Sequence, residues 1–130
     1  MGADGRYLQI GQVAARTELS LKTIRHYDEV GLVQPSARSA GGFRLYTAAD
    51  VDRLVLIRRM KPLGFTLAEM KRLLDAIDLV DDATTAAALR ETADVDLRAF
   101  RDRAYDSAER LRRQLAYAQE FADLLTERTS

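Results

Sequence analysis

The stretch IGQVAARTELSLKTIRHYDEVGLVQPSARSAGGFRLY, residues Ile10–Tyr46, decides how the chain folds. Val13, Ala14, Leu19, Ile24 and Tyr27 recur where two short helices joined by a turn bury side chains against each other. The second helix then carries Lys22, Thr23, Arg25 and His26 on its outer faces. A short helix displaying such donors has the width of a DNA major groove. Beyond it, Gly41-Gly42 separates Arg38 from Arg44, with Phe43 and Tyr46 close by. That order reads as a tight hairpin whose arginines grip phosphate.

Local signals set the boundaries. Tyr7–Gln9 is a short edge strand able to pair with the hairpin. Ile10 to about Arg16 forms the first helix, and Ser20 caps the second by accepting from the backbone near Thr23. Gly31 supplies a left-handed residue after about Val30. Residues 34–46 make the wing. Val51, Leu54, Val55, Ile57 and Met60 then give a third helix, Ala48 to Lys61, which Pro62 and Gly64 stop. Thr66 and Glu69 form a capping box for a fourth, expected to run to about Ala76. The acidic, apolar-poor stretch 77–86 reads as a linker.

From Ala87 to about Leu125 there is no Pro or Gly. Leu89, Ala93, Leu97, Phe100, Ala104, Ala108, Leu111, Leu115 and Ala118 recur at steps of three and four, averaging about 3.6 residues. Such a stripe on a helix on the order of 60 Å long calls for a partner, most simply the same helix of a second copy. Tyr105, Tyr117 and Phe121 supply further apolar surface. Dimer packing is their simplest use, and a pocket for an apolar effector is the sharper alternative.

The chain has 130 residues and zero formal net charge, but the charge is unevenly placed. Residues 1–74 hold 12 Lys and Arg against 7 Asp and Glu, whereas residues 75–130 hold 8 against 13. A basic front half fits a polyanionic partner that the average conceals. Cysteine is absent, which excludes disulfides and thiolate metal sites for this chain. His26 is the single histidine and has no ligand cluster near it in sequence, so no metal and no cofactor is expected. No catalytic triad, paired-carboxylate, P-loop or dinucleotide signature is present, so an enzyme is not expected. Asp28 and Glu29 are better placed to orient basic side chains than to do chemistry. No apolar run is long enough for a membrane span or leader, and the expected location is cytoplasmic.

The order of these parts, with the stretches IRHYDEVGLVQP, GGFRLYT and LIRRMKPLGFTLAEMKRLL, resembles the MerR family of bacterial transcription regulators. The resemblance covers residues 7–76 in sequence and 87–126 in architecture. It implies a mainly α fold: a winged helix-turn-helix head over 7–76, a linker over 77–86, and a dimerisation helix over 87–126 forming an antiparallel coiled coil. It implies a homodimer on an inverted-repeat promoter site in double-stranded DNA, bending and untwisting the promoter spacer so that RNA polymerase engages both promoter elements. Carried onto this chain, Lys22 and Thr23 approach base edges. Arg25 and Tyr27 anchor the recognition helix, Tyr27 either on a phosphate or in the head core; Arg44 and Tyr46 hold backbone from the wing, and Lys61 adds a phosphate contact. His26 stands where an aromatic is common in the family. Two departures are visible. Glu18 occupies a turn position where relatives usually carry Gly, and the cysteines of metal- and redox-sensing members are missing. No separate ligand-binding domain is expected, and the effector is unknown. The rival reading is an excisionase-like architectural protein that bends DNA without an effector.

Overall fold

The computed structural model describes residues 6–129 of the chain. Two compact units are formed, one up to Asp75 and one from Ala76 onward.

In the first unit, strand β1 (Leu8–Gln9) leads directly into helix α1 (Ile10–Thr17). The Gln9 N–H donates to Oε1 of Gln12 at 2.8 Å, which satisfies an otherwise orphaned donor at the helix start. The turn after α1 is made by Glu18 at φ 59°, a left-handed conformation rare for a residue with a Cβ. This is the conformation that the departure from glycine at this position implies. The turn is held from outside, because Nη1 of Arg58 donates to the Thr17 carbonyl at 2.8 Å.

Helix α2 (Leu21–Glu29) starts where Ser20 Oγ accepts from the Thr23 N–H at 3.0 Å. Gly31, at φ 75°, turns the chain away from it. Strands β2 (Ala37–Arg38) and β3 (Arg44–Tyr46) form the hairpin. β3 is central, antiparallel to both neighbours, with Leu8 opposite Tyr46 and Arg38 opposite Arg44. The edge strand thus pairs with the hairpin as its sequence suggests.

Helix α3 (Ala48–Met60) opens with a capping box that sequence reading did not single out: Thr47 and Asp50 exchange hydrogen bonds at 3.0 and 3.2 Å. The same Asp50 oxygen accepts the Ser36 hydroxyl at 2.6 Å and the Ser36 N–H at 3.1 Å. One buried carboxylate therefore fixes the start of the wing to the start of α3. A 3-10 turn (Lys61–Leu63) and Gly64 at φ 83° follow, and Thr66 with Glu69 caps helix α4 (Leu67–Asp81). Val13, Ile24, Tyr46, Leu54, Ile57 and Leu74 are fully buried and make the centre of the core.

α4 runs to Asp81, five residues beyond the Ala76 expected from sequence. Asp78 and Asp81, within the stretch that reads as linker, lie on a helix whose Ile77, Leu79 and Val80 are half-buried. Its last turn is held by Arg90, which donates to the carbonyls of Val80 and Asp82. The Asp82 carboxylate accepts both the N–H and the hydroxyl of Thr84, which makes the connection a short ordered turn. These bonds draw its pKa below the usual aspartate range. Helix α5 (Ala87–Thr129) then runs 43 residues without interruption. No helix among the described residues is long and apolar enough to cross a membrane.

Candidate nucleic-acid interface

Helix α2 splits its residues cleanly. Ile24, Tyr27 and Asp28 are buried, whereas Lys22, Arg25 and His26 are exposed. Thr23 is half-buried, and its Oγ1 accepts from the Ser20 hydroxyl at 2.9 Å. Tyr27 is only 3% exposed, so of the two roles open to it, phosphate contact or head core, the core is the one it takes. Its ring centroid lies 6.1 Å from that of His26. Burial pushes the Tyr27 hydroxyl pKa up.

The wing is anchored to α2 through charge. Oδ2 of Asp28 accepts from Arg44 Nε at 2.7 Å and from Arg38 Nη2 at 2.9 Å. The hydrogen bond to Asp28 raises the Arg44 pKa, a larger effect than the partial desolvation that opposes it. Asp28 thus orients basic side chains, the role its sequence position suggests. Arg44 makes this contact through Nε. Arg38 also donates to the Gly42 carbonyl at 3.3 Å.

Tyr46 departs from expectation. Its side chain is 0% exposed, so it does not reach DNA backbone from the wing. Cross-strand pairing accounts for this: Tyr46 lies opposite the buried Leu8, and residues paired across two strands share one face of the sheet. Its hydroxyl has no hydrogen-bond partner among the described residues, and burial raises its pKa.

Two concavities flank the exposed face of α2. One, of about 450 Å³, is lined by Gln9, Ile10, Gly11, Arg25, Gly42, Phe43 and Arg44. The other, of about 460 Å³, is lined by Lys22, Thr23, His26, Tyr27 and Lys61 over Phe65, Leu67 and Met70. The structure thus brings six of the nine sequence-derived residues, Lys22, Thr23, Arg25, His26, Arg44 and Lys61, to these rims. Arg38 stands behind them on Asp28, Tyr27 reaches the second concavity from the core, and Tyr46 takes no part. Cationic donors on either side of a helix suit the two backbone strands that bound a groove. Sequence reading missed the positioning residues Asp50 and Arg58. The box of Asp50 with Thr47 is a local signal that could have found Asp50, whereas its bond to Ser36 and that of Arg58 to Thr17 span 14 and 41 residues, beyond any local pattern.

On α5 the apolar stripe divides. Ala93 is buried within the single chain, and Leu97, Phe100, Ala104 and Ala108 are half-buried. Leu89, Leu111, Leu115 and Ala118 are exposed, as is every described residue from Glu109 onward. Ala93 is therefore already covered and does not wait for a partner. Tyr105, Tyr117 and Phe121 are exposed too and line neither concavity. Twelve residues separate Tyr105 from Tyr117, which puts them about 120° apart around the helix and roughly 18 Å apart along it. The three do not form a pocket within one chain.

Comparison with known proteins agrees with this geometry. Residues 8–77 match the family described as MerR HTH family regulatory protein, and residues 51–126 match that described as MerR, DNA binding. The HTH-type transcriptional regulator CueR of Vibrio cholerae is 43% identical over 86 residues, 66% of this chain and 60% of that protein. The HTH-type transcriptional regulator HmrR of Rhizobium leguminosarum is 36% identical over 110 residues, 85% of this chain and 82% of that protein. The chain spans about 60% of the length of the CueR relative. A MerR-family transcriptional regulator from Bacillus thuringiensis has the same fold, with a TM-score of 0.70 at 21% identity over 93% of this chain and 98% of that one. The chain belongs to the MerR family of HTH regulatory proteins.

Proposed function

We propose that the protein is a sequence-specific DNA-binding transcription regulator that acts as a homodimer on an inverted-repeat promoter site. The observation that carries this reading is the α2 face: Lys22, Arg25 and His26 exposed, with a cation-rimmed concavity on each side. α2 enters the major groove, where Lys22 and Thr23 approach base edges. Arg25 and Arg44 on one side and Lys61 on the other take phosphates. The apolar residues of α5 beyond Glu109 are exposed in the single chain, which supports pairing with a second copy in an antiparallel coiled coil. Two heads held at fixed spacing deform the spacer between promoter elements, and RNA polymerase engages the deformed site. Such a protein works in the cytoplasm and uses no catalytic group or cofactor.

The test is selection from random duplexes at near-physiological salt. An inverted repeat is the expected product. Recovery of duplexes without a common sequence would overturn this reading in favour of an architectural DNA-bending protein.

A further inference from the structure

Phe43 is the one large apolar residue of the wing tip, and 73% of it is exposed. Lone exposed apolar residues are ordinary on protein surfaces, so exposure by itself assigns nothing. Its setting is not ordinary. The tip is closed by the Ser39 N–H on the Phe43 carbonyl at 2.9 Å, the Phe43 N–H on Ser39 Oγ at 3.1 Å and the Gly42 N–H on the Ser39 carbonyl at 2.9 Å. Arg38 binds the Gly42 carbonyl and the Asp28 carboxylate, which ties this turn to α2. A Cβ on Gly41 would stand 3.1 Å from the Phe43 ring, so the ring lies over the turn backbone and depends on the missing side chain there. The ring therefore projects from a hydrogen-bonded turn, and it shares one concavity with Arg25 and Arg44.

Resting on the DNA-binding reading above, we infer that Phe43 is a DNA-contacting residue that packs on deoxyribose between the phosphates held by Arg25 and Arg44. The chemistry selects the sugar. Along one strand, what separates two phosphates is a deoxyribose whose C–H face is apolar. An aromatic ring that shares a concavity with two arginines meets that face when the cations seat on their phosphates. The ring brings no hydrogen-bonding group, so it adds affinity without reading sequence and without releasing a counterion. Its signature is thus separable from that of the arginines beside it.

The experiment measures affinity of the unaltered chain, Phe43→Ala, Phe43→Leu and Arg44→Ala for the duplex recovered by selection and for a scrambled duplex, each across a salt series. Phe43→Ala is expected to bind both duplexes about tenfold more weakly. Its slope of log affinity against log salt stays that of the unaltered chain, and Phe43→Leu recovers most of the loss. Arg44→Ala loses close to 0.9 of slope, the value for one phosphate contact. Thermal unfolding of Phe43→Ala matches the unaltered chain, because the ring supports no core. Undiminished affinity of Phe43→Ala, or a slope that falls as it does for Arg44→Ala, would overturn the inference while leaving the DNA-binding reading in place. Failure of the unaltered chain to bind any duplex would overturn both.

Discussion

Arg44 Nε lies 2.7 Å from Oδ2 of Asp28, and this contact joins the wing to the recognition helix. Asp28 is 8% exposed and Arg44 23%, so the pair is largely withdrawn from water and little screened. Arg38 meets the same oxygen but is 48% exposed, and it contributes less. Asp28→Asn keeps the shape and removes the charge that holds two cations together. The expected cost is about 2 kcal/mol in chemical denaturation. The wing also loses its fixed angle to α2, so DNA affinity falls although net positive charge rises. Tighter binding by Asp28→Asn would show that charge alone governs the interface.

Tyr46→Phe is expected to stabilise the protein. The buried hydroxyl has no partner among the described residues, and its removal gains about 1 kcal/mol at neutral pH. The sign of the pH dependence follows from burial, which holds the Tyr46 and Tyr27 hydroxyls above their usual pKa. Stability from keeping them neutral is fully present below about pH 10, where unfolded tyrosine titrates, and is lost as pH rises through their folded values. Melting followed from pH 8 to 11 should therefore fall less steeply for Tyr46→Phe than for the unaltered chain.

Glu18→Gly relieves a left-handed backbone, φ 59°, at the helix-turn-helix turn. The ion pair it removes, Glu18 with Arg58 at 3.5 Å, is 81% exposed on the Glu side and offers little in return. The expected gain is about 1 kcal/mol, or roughly 5 °C in melting temperature. A lower melting temperature would mean that Glu18 contributes more to the turn than its backbone costs.

The signals that were legible in sequence are local. Ser20 on Thr23, Thr66 with Glu69, and Gly31 each declare a helix end within four residues, and each stands where its chemistry puts it. The recognition face was legible for the same reason, since helical period alone separates Lys22, Arg25 and His26 from Ile24 and Tyr27. Apart from the Thr47 and Asp50 box, what escaped depends on distant partners. The end of α4 rests on Arg90, which stands nine residues after Asp81 and caps carbonyls that composition assigned to a linker. Tyr46 has the look of a wing aromatic, and only its strand partner Leu8 shows that it points inward.

Dimer formation is tested where α5 is bare. Leu111 and Leu115 are exposed by 51% and 58%, one helical turn apart on the stripe. The unaltered chain is expected to sediment as a dimer at micromolar concentration. Leu111→Asp combined with Leu115→Asp should sediment as a monomer with its head still folded, because carboxylates buried in a helix seam are strongly disfavoured. A dimer that survives both substitutions would place the contact elsewhere.

Lys22 and Arg44 are expected to fail differently. Lys22→Ala should relax discrimination at particular base pairs by about 1–3 kcal/mol, because it removes a base-edge contact. Arg44→Ala should weaken binding to selected and scrambled duplexes alike, because phosphate carries no sequence information. Equal losses on both duplexes for both variants would undo this division of roles.

The most direct measurement is a competition titration of the unaltered protein on a labelled selected duplex, against unlabelled selected and scrambled duplexes, at several salt concentrations. The expected result is a clear preference for the selected duplex and an affinity that falls steeply with salt, as several phosphate contacts require. Equal competition by the scrambled duplex, or an affinity indifferent to salt, would contradict the assignment of the α2 face to sequence-specific DNA recognition.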